Sequence, residues 1–155
     1  MPAQFHAAPV AQMDPVTLYR ILQLRTDTFV VEQQCPYPEL DGRDLEPGAV
    51  MLWAVGGTAD QEADDAAPTA TLRVLQEPEG FRIGRVVASP EVRGTGVAGE
   101  LMRRGVELCV AQSAESPVVL DAQAPLQGWY ESFGFARSRE TFMEDGIPHV
   151  PMRRG

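Results

Sequence analysis

Gly94-Thr95-Gly96-Val97-Ala98-Gly99 restricts the folding of this chain more than any other stretch. It fits G-x-G-x-x-G and stands between an apolar, strand-like run, RIGRVVAS, and a helix-like run, GVAGELMRRGVELCVAQ. At a helix start, successive backbone N–H groups form a concave donor site, and the helix dipole adds favourable charge for an anion. Small residues there let a ligand approach the backbone. Three readings are open: a dinucleotide site, a site for another phosphate ligand, and a helix start that holds no ligand.

A dinucleotide site calls for an acidic residue about 20 positions further on, and Asp121, closing PVVLD, occupies such a position. Three features weigh against it. The fingerprint should follow its strand almost directly, whereas SPEVR intervenes between VVAS and Gly94. Residues 122–155 are too few for the further βαβ units of a doubly wound sheet. The upstream runs also read as a hairpin and not as parallel units. What remains is Arg93-Gly94-Thr95-Gly96-Val97-Ala98, an R-x-x-G-x-A pattern that either suits a pyrophosphate or is a helix start that holds no ligand.

The chain has 155 residues, which suits one domain over 1–155 with a real core. No apolar run approaches the roughly 20 residues that span a bilayer, and MPAQFHAAPV carries no signal-peptide pattern, so a cytoplasmic protein is expected. The net charge is -9, and all 13 basic residues are arginine. An acidic chain repels nucleic-acid phosphates and anionic membranes and suits a cationic or neutral partner. Cys35 and Cys109 are far apart, and His6 and His149 are isolated, so neither a disulfide framework nor a metal site is expected.

DPVTLYRILQLRTDTFVVEQ reads as a helix, with Asp14 as cap, Pro15 at the first position and Val16, Tyr19, Leu22 (or Ile21) and Phe29 as its apolar face. QQCPYPELDGRDLEPG reads as a loop, AVMLWAV as a buried strand, and TADQEADDAAP as an acidic turn. TATLRVL and FRIGRVVAS form an antiparallel hairpin around QEPEG. A helix follows, with Val97, Leu101, Leu108 and Cys109 near one face; then come an apolar strand, PVVLDAQ, and a short helix ending at Gly134. The tail reads as two strands around Asp145-Gly146. This order predicts an α+β fold with a mostly antiparallel sheet.

VVASPEVRGTGVAGELM resembles the acyl-CoA loop of the GNAT superfamily of N-acyltransferases, and WYESFGF resembles the same superfamily's later helix and turn. A narrower resemblance, to the ElaA-like group, runs through LYRILQLRTDTFVVEQQCPYPELDGRDL, IGRVVASPEVRGTGVAGELM, DAQAPLQGWYESFGF and EDGIPHVPM. That group commonly has a histidine at the start of the strand after the DG-D loop. This chain reads GAVMLWAV there, so any role of that histidine does not carry over.

The resemblance implies a mixed, bent sheet flanked by helices, in which the strand ending VVAS and the strand PVVLD splay apart. It implies acetyl-CoA, or another acyl-CoA, as co-substrate, with no metal. The main chain of Val86, Val87 and Ala88 would pair with pantetheine as an added strand does, and Arg93, Gly94, Thr95, Gly96, Val97 and Ala98 would hold the pyrophosphate. Arg103 and Arg104 either reach the nucleotide or form a solvated helix face. Gln123 would bond cofactor amides or orient a water, and Asp121 would cap the next helix.

For the chemistry, Tyr130 is the candidate general acid toward the departing thiolate, against a reading as a packed aromatic. Glu32, following an apolar run and so expected to be partly buried, is the first candidate base; His149, between two prolines, is the rival. Cys35 as a nucleophile is the weaker reading of a loop thiol, and Trp129, Phe133 and Phe135 are core or pocket wall. The acids of PELDGRDLE either line an entrance for a cationic substrate or keep a loop hydrated. The implied activity is acyl transfer to a primary amine, on a small molecule or a peptide, by direct attack in a ternary complex. A module that binds acyl-CoA with little catalysis is the alternative. Monomer and homodimer are both open.

Overall fold

A computed structural model describes residues 2–58 and 67–155. The acidic turn read in TADQEADDAAP falls almost wholly at 59–66, outside the described residues.

Strand β1 (Gln4–Ala8) leads into helix α1 (Pro15–Thr26). The Asp14 carboxylate accepts the Thr17 N–H at 3.1 Å and Pro15 opens the first turn, as the cap reading requires. The helix then continues in a wider, π-type coil over Asp27–Glu32. Strands β2 (Val50–Val55), β3 (Pro68–Glu77) and β4 (Gly80–Ala88) form an antiparallel meander. Helix α2 (Val97–Gln112) precedes strand β5 (Val118–Gln123), and the short helix α3 (Gln127–Glu131) follows. The chain ends in β6 (Ala136–Arg137), β7 (Phe142–Glu144) and β8 (Ile147–Arg154). Asp145 and Gly146 have φ of 51° and 77°, the two left-handed residues that a tight hairpin turn between β7 and β8 needs.

Among the described residues these strands make one eight-stranded sheet in the order β1-β2-β3-β4-β5-β8-β6, with β7 also on β8. Every pairing is antiparallel except β4 with β5. The fold is therefore α+β with a mixed, mostly antiparallel sheet, and among the described residues there is no doubly wound parallel sheet of the kind a dinucleotide enzyme has.

Helices cover both faces. Leu72 points to α2, where a Cβ on Gly105 would lie 3.4 Å from its methyl groups. Its neighbour Arg73 points the opposite way, to Asp44, which also binds Arg25 of α1. Helix α2 buries Val97, Leu101, Met102, Gly105, Val106 and Cys109, so it is held by apolar burial, about 2 kcal/mol for each large side chain.

The predicted apolar face of α1 is corrected. Ile21 of that face is buried, but Val16 and Tyr19 are 57% and 71% exposed, and the helix's other buried residue is Arg25. A buried arginine supplies part of the contact, so apolar spacing alone places the face wrongly. Strands β1 and β6 also escape a reading by pattern, because β1 is mostly exposed and β6 spans only two residues.

Candidate functional site

Strands β4 and β5 pair only at Phe81 with Val118 and Arg82 with Val119. Gly80 makes that start possible: a Cβ there would stand 2.2 Å from the Pro117 carbonyl oxygen. Beyond Arg82 the pairing ends. On its other edge β4 carries a bulge opposite Leu72, since Thr71 pairs with Val87 but Arg73 with Gly84. Arg85 lies in the bulge with φ of 53°. A left-handed non-glycine residue costs about 1–2 kcal/mol, so the surrounding contacts must hold it.

The two strands thus become the walls of a cleft of about 990 Å³. Gly84 to Ala88 line one wall, and Leu120, Asp121 and Gln123 line the other. Glu32, Arg93, Tyr130 and His149 border the same space. Of the candidate residues, then, Glu32, Val86, Val87, Ala88, Arg93, Gln123, Tyr130 and His149 are brought together.

Gly94, Thr95, Gly96, Val97 and Ala98 form the turn and first residues of α2 directly after Arg93, outside the cleft lining. Gly94 and Gly96 have φ of 79° and 90°, and a Cβ at either would meet nothing within 4 Å. The loop is therefore open above its backbone. The Thr95 hydroxyl accepts the Val97 N–H at 3.4 Å, while the next N–H groups lack helical partners. A pyrophosphate fits such a loop.

At one end of the cleft, the Arg93 guanidinium donates to the Ala88 carbonyl oxygen and to Glu32, both at 3.0 Å. Glu32 is 47% exposed along its side chain, which corrects the expectation of a partly buried carboxylate. Glu32 is the last residue of the π-type coil and stands at the surface beside Arg93.

Tyr130 is only 7% exposed, and burial pushes its hydroxyl pKa up to about 12. It lies edge-on to Trp129, whose ring in turn meets Phe133, while Phe135 sits in the core. His149 is fixed by its own strand: its Nδ1 is 2.8 Å from the Ile147 carbonyl oxygen. A carbonyl only accepts, so Nδ1 carries the proton and the neutral ring keeps a lone pair on Nε2. Phe142 stacks on the ring at 5.7 Å. Gln123 stands opposite His149 in the β5–β8 ladder and exchanges amide hydrogen bonds with Gln33 across the cleft, the shorter at 3.2 Å. Cys35 donates to the Asp145 carbonyl oxygen at 3.4 Å.

Asp121 does not cap a helix; it binds Arg82 at 3.2 Å on the exposed side of β5. Arg103 and Arg104 are both tied to Glu100 on their own helix, and Arg104 also covers the Phe5 ring at 4.4 Å.

The sequence reading missed an ionic assembly that forms part of the cleft lining through Asp41, Arg73 and Arg85. Glu39 is 3% exposed and is bound by Arg25 at 2.6 Å and Arg85 at 2.9 Å. Asp41 binds Arg73 at 2.8 Å and Arg85 at 3.2 Å, and Asp44 binds Arg25 at 2.8 Å. Burial alone would raise the Asp41 and Asp44 pKa values, but the arginine hydrogen bonds prevail and hold both below the usual carboxylate range. The signal was present as arginines inside the apolar runs TLRVL and RIGRVVAS, since a buried charge needs an opposite one.

No helix is long and apolar enough to cross a membrane, and no group of three or more His, Cys, Asp or Glu residues set to hold a metal occurs among the described residues. Residues 63–154 match the family model described as "Acetyltransferase (GNAT) domain". A UPF0039 protein of Mycobacterium tuberculosis is 42% identical over 146 residues, covering 92% of this chain and 86% of that protein. The protein ElaA of Escherichia coli is 40% identical over 139 residues, covering 88% and 86%. The crystal structure of ElaA superposes with a TM-score of 0.88 at 35% identity, over 99% of this chain and all of that one. That of an acyl-CoA N-acyltransferase from Pseudomonas aeruginosa gives 0.88 at 38% identity, with the same coverage. With its bulged, splayed sheet and glycine loop, this chain belongs to the GNAT acetyltransferase family and, within it, to the relatives of ElaA.

Proposed function

We propose that this protein transfers an acetyl or similarly short acyl group from acyl-CoA to a primary amine, by direct attack in a ternary complex. The observation that carries the reading is the shared cleft. The β4 segment Val86–Ala88, whose Ala88 carbonyl oxygen is held by Arg93, borders it together with Arg93, Tyr130 and His149. The main chain of Val86 to Ala88 takes the pantetheine, and an N–H there polarises the thioester carbonyl. Arg93 and the loop from Gly94 to Ala98 take the pyrophosphate, and Gln123 bonds the cofactor's amides.

His149 removes the proton of the attacking amine through Nε2, because the hydrogen bond to Ile147 leaves that nitrogen as the acceptor. As the new C–N bond forms and the C–S bond breaks, Tyr130 gives its proton to the sulfur. Its raised pKa keeps that proton in place at neutral pH. Glu32, exposed and paired with Arg93, acts at the phosphate end of the cleft and not as the base. Glu144 and Asp145 stand at the His149 end of the cleft and favour a cationic amine.

Calorimetric titration with acetyl-CoA tests the reading. Micromolar binding is expected, and it is lost in Gly96→Glu, which places a carboxylate where the pyrophosphate goes. A screen of amines for released CoA thiol then identifies the acceptor. Absence of acetyl-CoA binding would sink the proposal; binding without turnover on any amine would leave a binding module.

A further inference from the structure

The bulge that opens the cleft is built on an arginine. In this type of bulge the left-handed position commonly falls to glycine. Gly84 is adjacent, yet Arg85 is the residue with φ of 53°. Its side chain is fully engaged with the loop that follows α1. The guanidinium donates to the Glu39 carboxylate at 2.9 Å, to the Glu39 carbonyl oxygen at 3.1 Å and to Asp41 at 3.2 Å, and it lies 5.4 Å above the Tyr37 ring. Glu39 is itself clamped to Arg25, which is 0% exposed, so the anchor is rigid.

We infer that Arg85 is a positioning residue: by tying the bulge to Glu39 and Asp41, it aims the β4 edge presented by Val86 and Ala88 at the acyl-CoA thioester. The inference rests on the proposed function and adds a determinant on the same cleft wall, acting through the main chain that it holds. An arginine accepts the left-handed strain because its fork reaches three acceptors on the loop from that one backbone conformation. A glycine would relax the strain but leave the β4 edge untied. The residues that follow the bulge form that edge, so slack at Arg85 is passed directly to it.

The test compares Arg85→Gly, Arg85→Lys and the unaltered protein by thermal melting, acetyl-CoA calorimetry and 15N relaxation of the Val86–Ala88 amides. Arg85→Gly is expected to stay folded, because glycine accepts the positive φ, and to bind acetyl-CoA at least about tenfold more weakly. The order parameters of Val86 and Ala88 should fall in the free protein. Arg85→Lys, which keeps the charge but not the fork, should fall between. Binding within twofold of the unaltered protein, with unchanged order parameters, would overturn the inference and leave Arg85 a stabilising contact. Should the unaltered protein bind no acetyl-CoA, the proposed function fails, while the relaxation data still decide whether Arg85 holds the bulge.

Discussion

Arg93 and Glu32 form an ion pair of 3.0 Å between the start of the glycine loop and the end of the π-type coil that extends the first helix, and both side chains are more than two-fifths exposed. An exposed pair of this kind contributes only about 0.2–1 kcal/mol. Glu32→Gln should therefore alter the acyl-CoA KM by no more than about fivefold and leave kcat nearly unchanged. His149→Gln should lower kcat by on the order of 10²–10⁴, the usual contribution of a general base. Steady-state kinetics on the two variants separates the candidates. A large kcat loss in Glu32→Gln alone would return the base to Glu32.

Tyr130→Phe removes one oxygen from a side chain that is otherwise packed against Trp129. Melting temperature and acetyl-CoA affinity should stay close to those of the unaltered protein, while kcat falls by about 10²–10⁴. The pH profile adds a sharper test. A general acid works only while protonated, and a raised pKa extends that range upward. With the hydroxyl pushed up to about 12, kcat should show no alkaline loss from Tyr130 up to about pH 10, where an ordinary tyrosine is already half ionised. An alkaline limb below pH 10 that disappears in Tyr130→Phe would contradict this.

Acid should weaken the fold through the ionic assembly at the cleft wall. Asp41, Asp44 and Glu77 all have folded pKa values lowered from ordinary values of 3.8, 3.8 and 4.5. Burial opposes ionisation at each, but hydrogen bonds from Arg73, Arg25 and Arg43 outweigh it. Below the ordinary values the unfolded chain binds more protons than the folded one, so stability rises with pH there. The contribution is complete above about pH 5 and is lost as pH falls through the lowered values. Urea midpoints at a series of pH values should drop below pH 4; a flat midpoint down to pH 3 would refute the assignment.

The hairpin of β3 and β4, helix α2 and the turn at Asp145-Gly146 are legible in the sequence because each rests on local signals: alternation, glycine placement and an Asp-Gly pair. The glycine loop is legible for the same reason. The bulge is not, because its left-handed residue is Arg85 and the glycine that would mark it stands one position earlier. Helix α1 is legible in its cap but not in its face, since Arg25 is buried only through partners 14 and 19 residues away. Such long-range charge pairing leaves no period in the chain. Glu32 follows an apolar run, yet it ends a π-type coil in which only Thr28 is buried, and apolar neighbours in sequence do not show that.

Arg25 offers the clearest separation of buried from exposed charge. Its guanidinium is fully enclosed and donates to both oxygens of Glu39 and to Asp44. Burial opposes its charge, but those hydrogen bonds prevail and its pKa is raised, so it stays a cation at any working pH. Arg25→Met removes the cation and leaves the Glu39 carboxylate, 3% exposed, with only Arg85 at its side. Breaking a buried pair from one side costs about 3–5 kcal/mol, which in a domain of this size lowers Tm by on the order of 10 °C. Arg43, whose side chain is 35% exposed, also makes two ion pairs, to Glu46 and Glu77. Its replacement by Met should cost no more than about 1 kcal/mol. Calorimetric melting of the two variants in parallel is the measurement. Equal effects would mean that the Arg25–Glu39 hub holds the loop no more firmly than a surface pair, and the rigid anchor assigned to Arg85 would go with it.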